Sequence, residues 1–206
     1  IRDRDSGTLA MHCRVVKVGG SLFSSANVGT SVANWIRLQQ PKRTIIVTGG
    51  GVWANQIRQL DARSPLPASS AHWLAIRAMS LTALLLSNLL TESDWIQEYA
   101  GLQDWHSGET SKTAVYDVAE FLRDIEPLAA GIQLPLGWDV TSDSIAARLA
   151  QVVGADELVL LKSIDSSTDC LDTAAKSGVV DAFFPKIATA LLANGIEVRI
   201  DKPEAV

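Results

Sequence analysis

The sequence predicts an α/β fold, a three-layer αβα sandwich in which a mainly parallel central sheet lies between two layers of helices. Short runs of Val, Ile and Leu alternate along the chain with helical patterns, and such continuous apolar strands are typical of a parallel sheet covered on both faces. Two of these strands also end in glycine clusters, "GGS" and "GGG". Because right-handed crossovers bring the ends of parallel strands to one edge of the sheet, both clusters are predicted to lie together there.

Apolar runs that end in a turn or in polar residues predict the strands. The stretch "AVYDVAEFLRDI" at 114–125 is predicted to be a strand that runs into a helix. The other strands are predicted from "RVVKVGG" at 14–20, "RTIIVTGGG" at 43–51, "ELVLLKS" at 157–163 and "IEVRI" at 196–200.

Apolar residues at helical spacing predict the helices, and Pro, Gly and hydroxyl residues mark their ends. Helices are predicted from "NVGTSVANWIRLQQ" at 27–40, "VWANQIRQLDA" at 52–62, a long segment near 70–90, "WDVTSDSIAARLA" at 138–150 and "PKIATALLANG" at 185–195. The polar stretch 101–113 has no assignment, and "SIDSSTDCLDTAAKSG" at 163–178 is predicted to be a long mobile loop. We expect one domain that spans residues 1–206.

Composition and charge argue against several classes of protein. The chain has 206 residues and a formal net charge of −5, which disfavours a nucleic-acid-binding surface. Cys13 and Cys170 have no metal-ligand spacing and are expected to be free thiols in a reducing, cytoplasmic compartment. We expect no secretory leader and no membrane span, because the first residues are polar and polar residues interrupt the apolar stretch at 70–90. The three histidines are scattered, so we assign no protein metal ligand.

The two glycine clusters form the first candidate site. Glycine after a strand allows backbone amides to approach a ligand closely, and successive amides suit an anion. The alternative is that each strand simply turns sharply. Because both turns follow strands that are predicted to be neighbours, we favour phosphate or substrate binding by Gly19, Gly20, Ser21, Gly49, Gly50 and Gly51.

Three charged residues lie at positions that suggest a role in a site as well as in the fold. Lys17 interrupts an apolar strand, and an unpaired ammonium is costly to bury, so we expect its side chain to point towards an anion. Lys186 lies in the first turn of a predicted helix, where a cation is unfavourable, which indicates a negative partner or a solvated surface position. Asp143 follows Thr141 and Ser142, either of which can cap the helix; a first-turn carboxylate also suits the helix dipole.

Of two common nucleotide-binding motifs, one is absent from the sequence and the other is incomplete. The pattern GxxxxGK[ST] does not occur, which disfavours a P-loop NTPase. The stretch "GGGVWA" satisfies the looser G-x-G-x-x-G/A dinucleotide pattern, but the acidic residue expected about twenty positions later is missing from "ASSAHW". A nicotinamide-dependent oxidoreductase is therefore a minor alternative.

Taken together, four segments resemble the amino acid kinase superfamily, which includes aspartate, acetylglutamate, uridylate and isopentenyl phosphate kinases. The segments are "VVKVGGSLF", "IIVTGGGVWANQI", "VTSDSIAARLA" and "FFPKIATALLANGIEVRI", and they occur in the family's order between residues 14 and 200. The resemblance implies an acceptor-binding half at about 14–140 and a nucleotide-binding half at about 141–206. It also implies a kinase that uses ATP, with Mg²⁺ held chiefly by the ATP phosphates.

The same resemblance assigns roles to particular residues. Lys17 and Lys186 match the two catalytic lysines, and Asp143 matches the aspartate that lies between them and orients both. On this basis we expect Asp143→Asn to leave folding nearly intact and to lower turnover by orders of magnitude. Contacts to the nucleotide are expected from Lys162, Ser163, Asp165 and Pro185.

One segment departs from the family pattern. Where the family often has Thr-Asp-Val-Asp-Gly, this chain has Lys-Ser-Ile-Asp-Ser at 162–166. Lys162 can itself contact a phosphate, or it can be a solvated strand end. The departure leaves open a different class of function, a non-catalytic nucleotide- or oxyanion-binding or storage protein with the kinase fold.

The chain most resembles a small subgroup that contains the aminomethylfuran-methyl phosphate kinases of methanofuran biosynthesis. The short length, "SSAHWLAIRAM" and "WDVTSDSIAARL" carry this resemblance. It implies a small-molecule acceptor with a phosphate and an amine, and a homo-oligomer by analogy. His72 and Arg77 are candidates to face the acceptor, and Trp53 and Trp138 to stack on its ring, although core or interface packing is the simpler role for such residues.

Overall fold

The computed structural model describes residues 12–108, 112–164 and 171–204, and it confirms the predicted fold class. Within these ranges the sheet has six strands, and every neighbouring pair is parallel. The strands are β1 (Cys13–Val18), β2 (Arg43–Thr48), β3 (Asp94–Ile96), β4 (Thr113–Tyr116), β5 (Glu157–Leu161) and β6 (Glu197–Asp201). Their order across the sheet is β3-β4-β2-β1-β5-β6, so β1 lies near the middle.

Helices cover the sheet on both faces. They are α1 (Val28–Leu38), α2 (Gly51–Arg63), α3 (Ala68–Leu89), α4 (Tyr99–Ser107), α5 (Ser142–Val153), α6 (Leu171–Lys176) and α7 (Phe184–Ala193). The described connections also contain two short 3-10 turns, Gly20–Ser24 and Glu126–Leu128, and one π-helical turn, Phe121–Ile125. None of the described helices has the length and apolar character needed to cross a membrane.

The strands send alternate side chains into two separate apolar cores, as the pleat of a strand requires. Val15 and Leu158 pack with α5 and α7 on one face, whereas Val16 and Val159 pack with α1 and part of α3 on the other. All these strand side chains are fully buried, which explains the continuous apolar runs in the sequence.

The register of β1 brings the candidate residues to one edge of the sheet. Val18, the last residue of β1, pairs with Thr48 on β2 and with Leu161 on β5. Beyond this row, the Gly19 amide donates to the Leu161 carbonyl at 2.8 Å, and the Gly49 amide donates to the Val18 carbonyl at 2.9 Å. The two glycine turns and the end of β5 therefore meet at the carboxyl edge, as predicted.

Four local expectations need correction. The strand Asp94–Ile96 was not expected from the sequence, because three residues are too few to show a period. The unassigned polar stretch contains most of α4. After β4 the chain forms a π-helical turn followed by a 3-10 turn in place of the expected α-helix. Part of the segment predicted as a mobile loop forms the short helix α6, which is anchored by the buried Ala174.

Candidate active site

The two glycine turns are in direct backbone contact. A Cβ atom on Gly20 would lie 2.6 Å from the Gly51 amide nitrogen, and one on Gly49 would lie 2.8 Å from the Gly20 nitrogen. Gly51 also has a φ of +56°, which a side chain would disfavour. Glycine is therefore required here for close approach, and the turns bring their backbones together beside one cavity.

The central feature of the site is a carboxylate shared by two lysines. The Lys17 ammonium lies 2.8 Å from Asp143 Oδ1, and the Lys162 ammonium lies 2.8 Å from Oδ1 and 2.7 Å from Oδ2 of the same side chain. The exposed fractions of the three side chains are 5% for Lys17, 5% for Asp143 and 11% for Lys162. The cluster is thus almost completely removed from water, and two cations share one anion.

Burial and charge together perturb this cluster. Burial alone raises the pKa of Asp143, but the ammoniums of Lys17 and Lys162 outweigh it, so the pKa lies below the usual aspartate value. Burial and then the nearby Lys17 ammonium lower the pKa of Lys162 to about 8, although Asp143 opposes the shift. A buried cluster with an excess of cations is suited to receive an anion.

Three different elements supply the cluster. Lys17 is the fifth residue of β1, Lys162 follows directly after β5, and Asp143 lies in the first turn of α5. β1 and β5 are neighbouring strands, so the two lysines lie close together when their side chains point to the same face of the sheet. Thr141, the first of the two expected caps, makes no side-chain capping bond at the start of α5, so that alternative is wrong. Asp181 accepts from the amides of this helix end.

Lys186 is not paired with Asp143 as the sequence analysis expected. It lies in the first turn of α7, and its ammonium lies 5.3 Å from the centroid of the Phe183 ring. The second ammonium on Asp143 comes from Lys162, which the sequence analysis placed among the nucleotide contacts. The start of α7 is nevertheless close to the start of α5, because the Phe183 amide donates to the Asp139 carbonyl at 3.2 Å.

Of the other expected nucleotide contacts, Ser163 and Pro185 lie in the described part of the structure. The Ser163 and Ser21 hydroxyls lie 2.8 Å apart, which links the end of β5 to the first glycine turn. Pro185 lies in the first turn of α7, next to Lys186. Asp165 lies outside the described residues.

A cavity of about 430 Å³ opens between the two glycine turns, α2, α3 and the segment 137–145. The lining residues that are glycines or have polar side-chain groups are Gly20, Ser21, Ser24, Gly49, Gly50, Gly51, Asn55, Arg58, His72, Gly137, Trp138, Thr141 and Ser142. Ser142 is the residue directly before Asp143, so the cavity adjoins the charged cluster.

Arg58 contributes the positive charge of the cavity, although it is not among the site residues predicted from the sequence. Its guanidinium lies 4.7 Å from the centroid of the Trp138 ring, and the Trp138 indole donates to Asp61 at 2.7 Å. A signal was present in the sequence, because Gly51, Asn55 and Arg58 follow one another at i, i+4 and i+7 and share one face of α2.

His72 is a buried cavity residue, whereas two other expected acceptor contacts lie elsewhere. Burial lowers the pKa of His72, although a hydrogen bond to the Gly137 backbone opposes the shift, so the imidazole is neutral at pH 7. Arg77 is exposed on α3, and Trp53 is 50% exposed on α2. Neither belongs to the described lining of the cavity, whereas Trp138 does.

Comparison with known proteins identifies the family. Residues 12–167 match the sequence profile described as the amino acid kinase family. Over 156 residues the chain is 26% identical to (5-(aminomethyl)furan-3-yl)methyl phosphate kinase from Methanocaldococcus jannaschii, with 75% of this chain and 68% of the relative covered.

Solved structures agree on the fold. Uridylate kinase from Archaeoglobus fulgidus superposes with a TM-score of 0.60 at 18% identity, covering 91% of this chain and 89% of that chain. Aspartate kinase from Synechocystis gives a TM-score of 0.64 at 17% identity, covering 93% of this chain and 38% of that chain. Because the family profile matches about three quarters of the sequence, the chain belongs to the amino acid kinase family, and it is a phosphotransferase.

Proposed function

We propose that this kinase transfers the γ-phosphoryl group of ATP to the phosphate of a small phosphomonoester, with (5-(aminomethyl)furan-3-yl)methyl phosphate as the candidate acceptor. The observation that carries the proposal is the cavity beside the Lys17–Asp143–Lys162 cluster. Among the described residues that line this cavity, Arg58 carries a permanent positive charge, and none has a carboxylate. A cavity with amides and a guanidinium suits a phosphate.

The chemistry of the cluster also favours a phosphate as acceptor. Asp143 is held by two ammoniums at 2.7–2.8 Å, so its carboxylate is poorly placed to act as a general base. A phosphomonoester has its second pKa near 6 and needs no base at pH 7, because its attacking oxygen is already deprotonated. That oxygen forms a bond to the γ-phosphorus, the bond from γ-phosphorus to the bridging oxygen breaks, and ADP leaves with the electron pair.

The residues of the cluster have complementary roles in this proposal. Lys17 and Lys162 stabilise the negative charge that spreads over the equatorial oxygens of the transferring group. Asp143 keeps both ammoniums in place. The Gly20 amide and the Ser21 hydroxyl contact the phosphates of ATP, and the second turn, Gly49–Gly51, contacts the acceptor. The Gly19 amide already donates to the Leu161 carbonyl, so Gly19 positions the first turn.

The nucleotide and its metal are proposed to lie on the side of α7. Ser163, Asp165 and Pro185 remain predicted nucleotide contacts, and Lys186 remains a predicted catalytic lysine. Because Asp143 is already engaged by two lysines, it does not fit the role of metal ligand. Mg²⁺ in kinase sites is bound largely by substrate phosphates, and we expect it to enter with ATP.

The relative from M. jannaschii suggests that the acceptor also carries an amine. A neutral imidazole can accept a hydrogen bond through its unprotonated nitrogen. We propose that His72, on the wall of the cavity, accepts a hydrogen bond from the amine, and that Trp138 contacts the ring.

Mg-ATP binding by calorimetry, first on the wild type and then on Lys17→Ala, tests the nucleotide site.

Two arginines at different locations provide a matched test of the acceptor site. Steady-state turnover of the furan phosphomonoester then compares Arg58→Ala with Arg77→Ala, since Arg58 lines the cavity and Arg77 is exposed on α3. We expect Arg58→Ala to raise the KM for the acceptor by at least about tenfold, as loss of a charged hydrogen bond does, and Arg77→Ala to stay near the wild type.

The alternatives give different results. A wild type that binds Mg-ATP but turns over no phosphomonoester would contradict the acceptor class. A wild type that binds an oxyanion without any turnover would favour the binding or storage alternative. Equal effects of the two arginine variants would show that Arg58 does not contact the acceptor.

A further inference from the structure

Asp181 connects the starts of two helices that carry site residues. Its carboxylate accepts from the Thr141 amide at 2.9 Å and hydroxyl at 2.8 Å, and from the Ser144 amide at 3.1 Å and hydroxyl at 2.5 Å. The same carboxylate accepts from the amides of Phe183 at 3.2 Å and Phe184 at 2.9 Å. Thr141 and Ser144 belong to the start of α5, whereas Phe183 and Phe184 belong to the start of α7.

This arrangement differs from an ordinary helix cap. A capping side chain usually belongs to the helix that it caps, and it satisfies one or two of the free amides there. Asp181 satisfies amides of two helices at once, and its negative charge lies near the positive end of both dipoles. One carboxylate therefore fixes the start of α5 relative to the start of α7.

The two helix starts are those that matter for the proposed reaction. Asp143 is two residues after Thr141 and one residue before Ser144, so it lies between the two hydrogen-bonded positions of α5. Lys186 is two residues after Phe184 on α7. A displacement of either helix start would move the carboxylate that holds Lys17 and Lys162, or would move the ammonium of Lys186.

We propose that Asp181 is a positioning residue, which holds Asp143 against the two buried lysines and holds Lys186 at a fixed distance from them. The proposal rests on the proposed function, since it assigns these groups to phosphoryl transfer. It adds a residue that makes no contact with the cluster and meets the cavity lining only at Thr141, and that acts through the backbone of α5 and α7.

Asp181→Asn is the principal test, and Glu120→Gln is the matched control. The Glu120 carboxylate accepts from the Tyr99 amide at the start of α4, and Glu120 belongs to neither the cluster nor the cavity lining. Both variants weaken a carboxylate contact at a helix start. We expect Asp181→Asn to lower kcat by at least about thirtyfold with a small change in the KM for ATP, because misplaced groups act mainly on the transition state. Glu120→Gln is expected to lower the melting temperature and to leave kcat within about twofold.

A second measurement needs no turnover. In ligand-free protein with isotope-labelled lysines, NMR follows the titration of Lys162, whose pKa is about 8. Asp143 raises this pKa, so a displaced Asp143 lowers it, and we expect a downward shift of about half a pH unit or more in Asp181→Asn. Ser144→Ala, which removes one hydroxyl bond to Asp181, should give a smaller shift in the same direction and serves if Asp181→Asn does not fold.

The outcomes separate the two proposals. If the wild type has no kinase activity on phosphomonoesters, the proposed function fails, while the Lys162 titration still decides whether Asp181 positions Asp143. If the variants at 181 and 144 leave the Lys162 titration unchanged, or if Asp181→Asn loses no more kcat than Glu120→Gln at an equal loss of melting temperature, Asp181 is only a structural cap.

Discussion

Lys162 gives the site a titration near physiological pH. Its pKa of about 8 results first from burial and then from the neighbouring Lys17, against the opposing effect of Asp143. If its ammonium stabilises the transferring phosphoryl group, kcat/KM for ATP is constant below about pH 8 and falls above it, since this ratio reports groups of the free enzyme. A pH profile from 6 to 9.5 measures this descending limb.

Arginine at the same position provides the control for this prediction. A guanidinium stays protonated throughout the range, so Lys162→Arg should be less active at pH 7 and should lack the limb near pH 8. A limb that persists in Lys162→Arg would assign the titration to another group.

Stability gives a second check, because the folded state loses the Lys162 proton at lower pH than the unfolded chain. The wild type should therefore gain unfolding free energy relative to Lys162→Met as pH rises from about 8 to about 10.5.

Asp143→Asn removes the shared charge between the two lysines. From the sequence, folding is expected to remain nearly intact, but the structure buries both ammoniums against this one carboxylate. Removing one partner of a buried charge pair typically costs about 3–5 kcal/mol of unfolding free energy. We expect a loss of this size in urea titrations, together with a fall in kcat of orders of magnitude.

An exposed ion pair supplies the comparison for Asp143. Asp124 pairs with Arg123 at the surface, and such pairs contribute little to stability. Asp124→Asn should leave both urea midpoint and kcat close to the wild type. An Asp143→Asn variant with wild-type stability would show that the cluster is solvated in solution.

The sequence predicted the identity of these charged residues better than their partners. Lys17 and Asp143 were found because each is unusual in its local pattern, an ammonium in an apolar strand and an acid in a helix start. The sharing of Asp143 by Lys17 and Lys162 depends on the pairing of β1 with β5, more than 140 residues apart, and no local pattern reports it. Arg58 was missed because a surface arginine on an amphipathic helix looks ordinary until the cavity beside it is known.

At the scale of elements, the contact between the two glycine turns sets a steric limit. A methyl group on Gly20 would lie 2.6 Å from the Gly51 nitrogen and 2.8 Å from its Cα, both of them backbone atoms that cannot rotate away. Gly20→Ala must therefore separate the turns. We expect a lower melting temperature and at least about a tenfold loss of affinity for Mg-ATP in calorimetry, because the anion-binding amides move.

Gly101→Ala is the matched control for this substitution. Gly101 lies within α4, and an added Cβ would meet only Ile96 Cγ2 at 3.6 Å, an ordinary contact. Replacing a helical glycine by alanine stabilises by roughly 0.5–1 kcal/mol. Gly101→Ala should thus raise the melting temperature and leave nucleotide affinity unchanged, and equal effects of the two variants would contradict the steric argument.

Element prediction succeeded where a segment was long enough to show a period. The 22 residues of α3 and the apolar runs of β1, β2 and β5 were found for this reason. It failed for β3 and α6, which have three and six residues. Such short elements are stabilised by their neighbours: β3 pairs with β4, and α6 packs through Ala174 into the core. Tertiary contacts, which a local pattern does not contain, decide these segments.

Glu157 links distant parts of the chain at the opposite edge of the sheet. This buried carboxylate on β5 contacts Arg14 of β1 at 2.7 Å, Lys42 at 3.0 Å and Arg199 of β6 at 2.7 Å. Burial alone raises its pKa, but Arg199, Lys42 and Arg14 lower it from 4.5 to about 2. The folded state therefore holds this group ionised to much lower pH than the unfolded chain does.

Acid should weaken the fold through this residue. A carboxylate with a lowered folded pKa contributes fully above its unfolded pKa, here 4.5, and loses the contribution as pH falls towards about 2. The contribution is of the order of 3 kcal/mol. Urea titrations of the wild type and Glu157→Gln at pH 7 and pH 3.5 should show a difference in unfolding free energy that shrinks at pH 3.5; a constant difference would contradict the assignment.

The expected homo-oligomer can be tested on α3. This helix exposes a set of leucines, each between 44% and 47% exposed: Leu74, Leu81, Leu84, Leu85 and Leu89. Exposed apolar patches of this kind often mark protein contacts. If copies associate through this face, Leu81→Glu with Leu85→Glu should reduce the mass measured by light scattering. The same change at Leu192, which lies on α7 and is 51% exposed, should not. An unchanged mass would place any association elsewhere.

The exposure of α2 has a consequence for how such an enzyme diversifies. None of its 13 residues is buried, yet Asn55 and Arg58 line the cavity. Side chains on this helix can therefore be exchanged without creating a void in either core. The lysine–aspartate cluster, by contrast, is enclosed by three elements and leaves no such freedom. Recognition of the acceptor can thus evolve separately from the transfer chemistry, and directed evolution towards new phosphorylated acceptors should find most of its beneficial changes on α2.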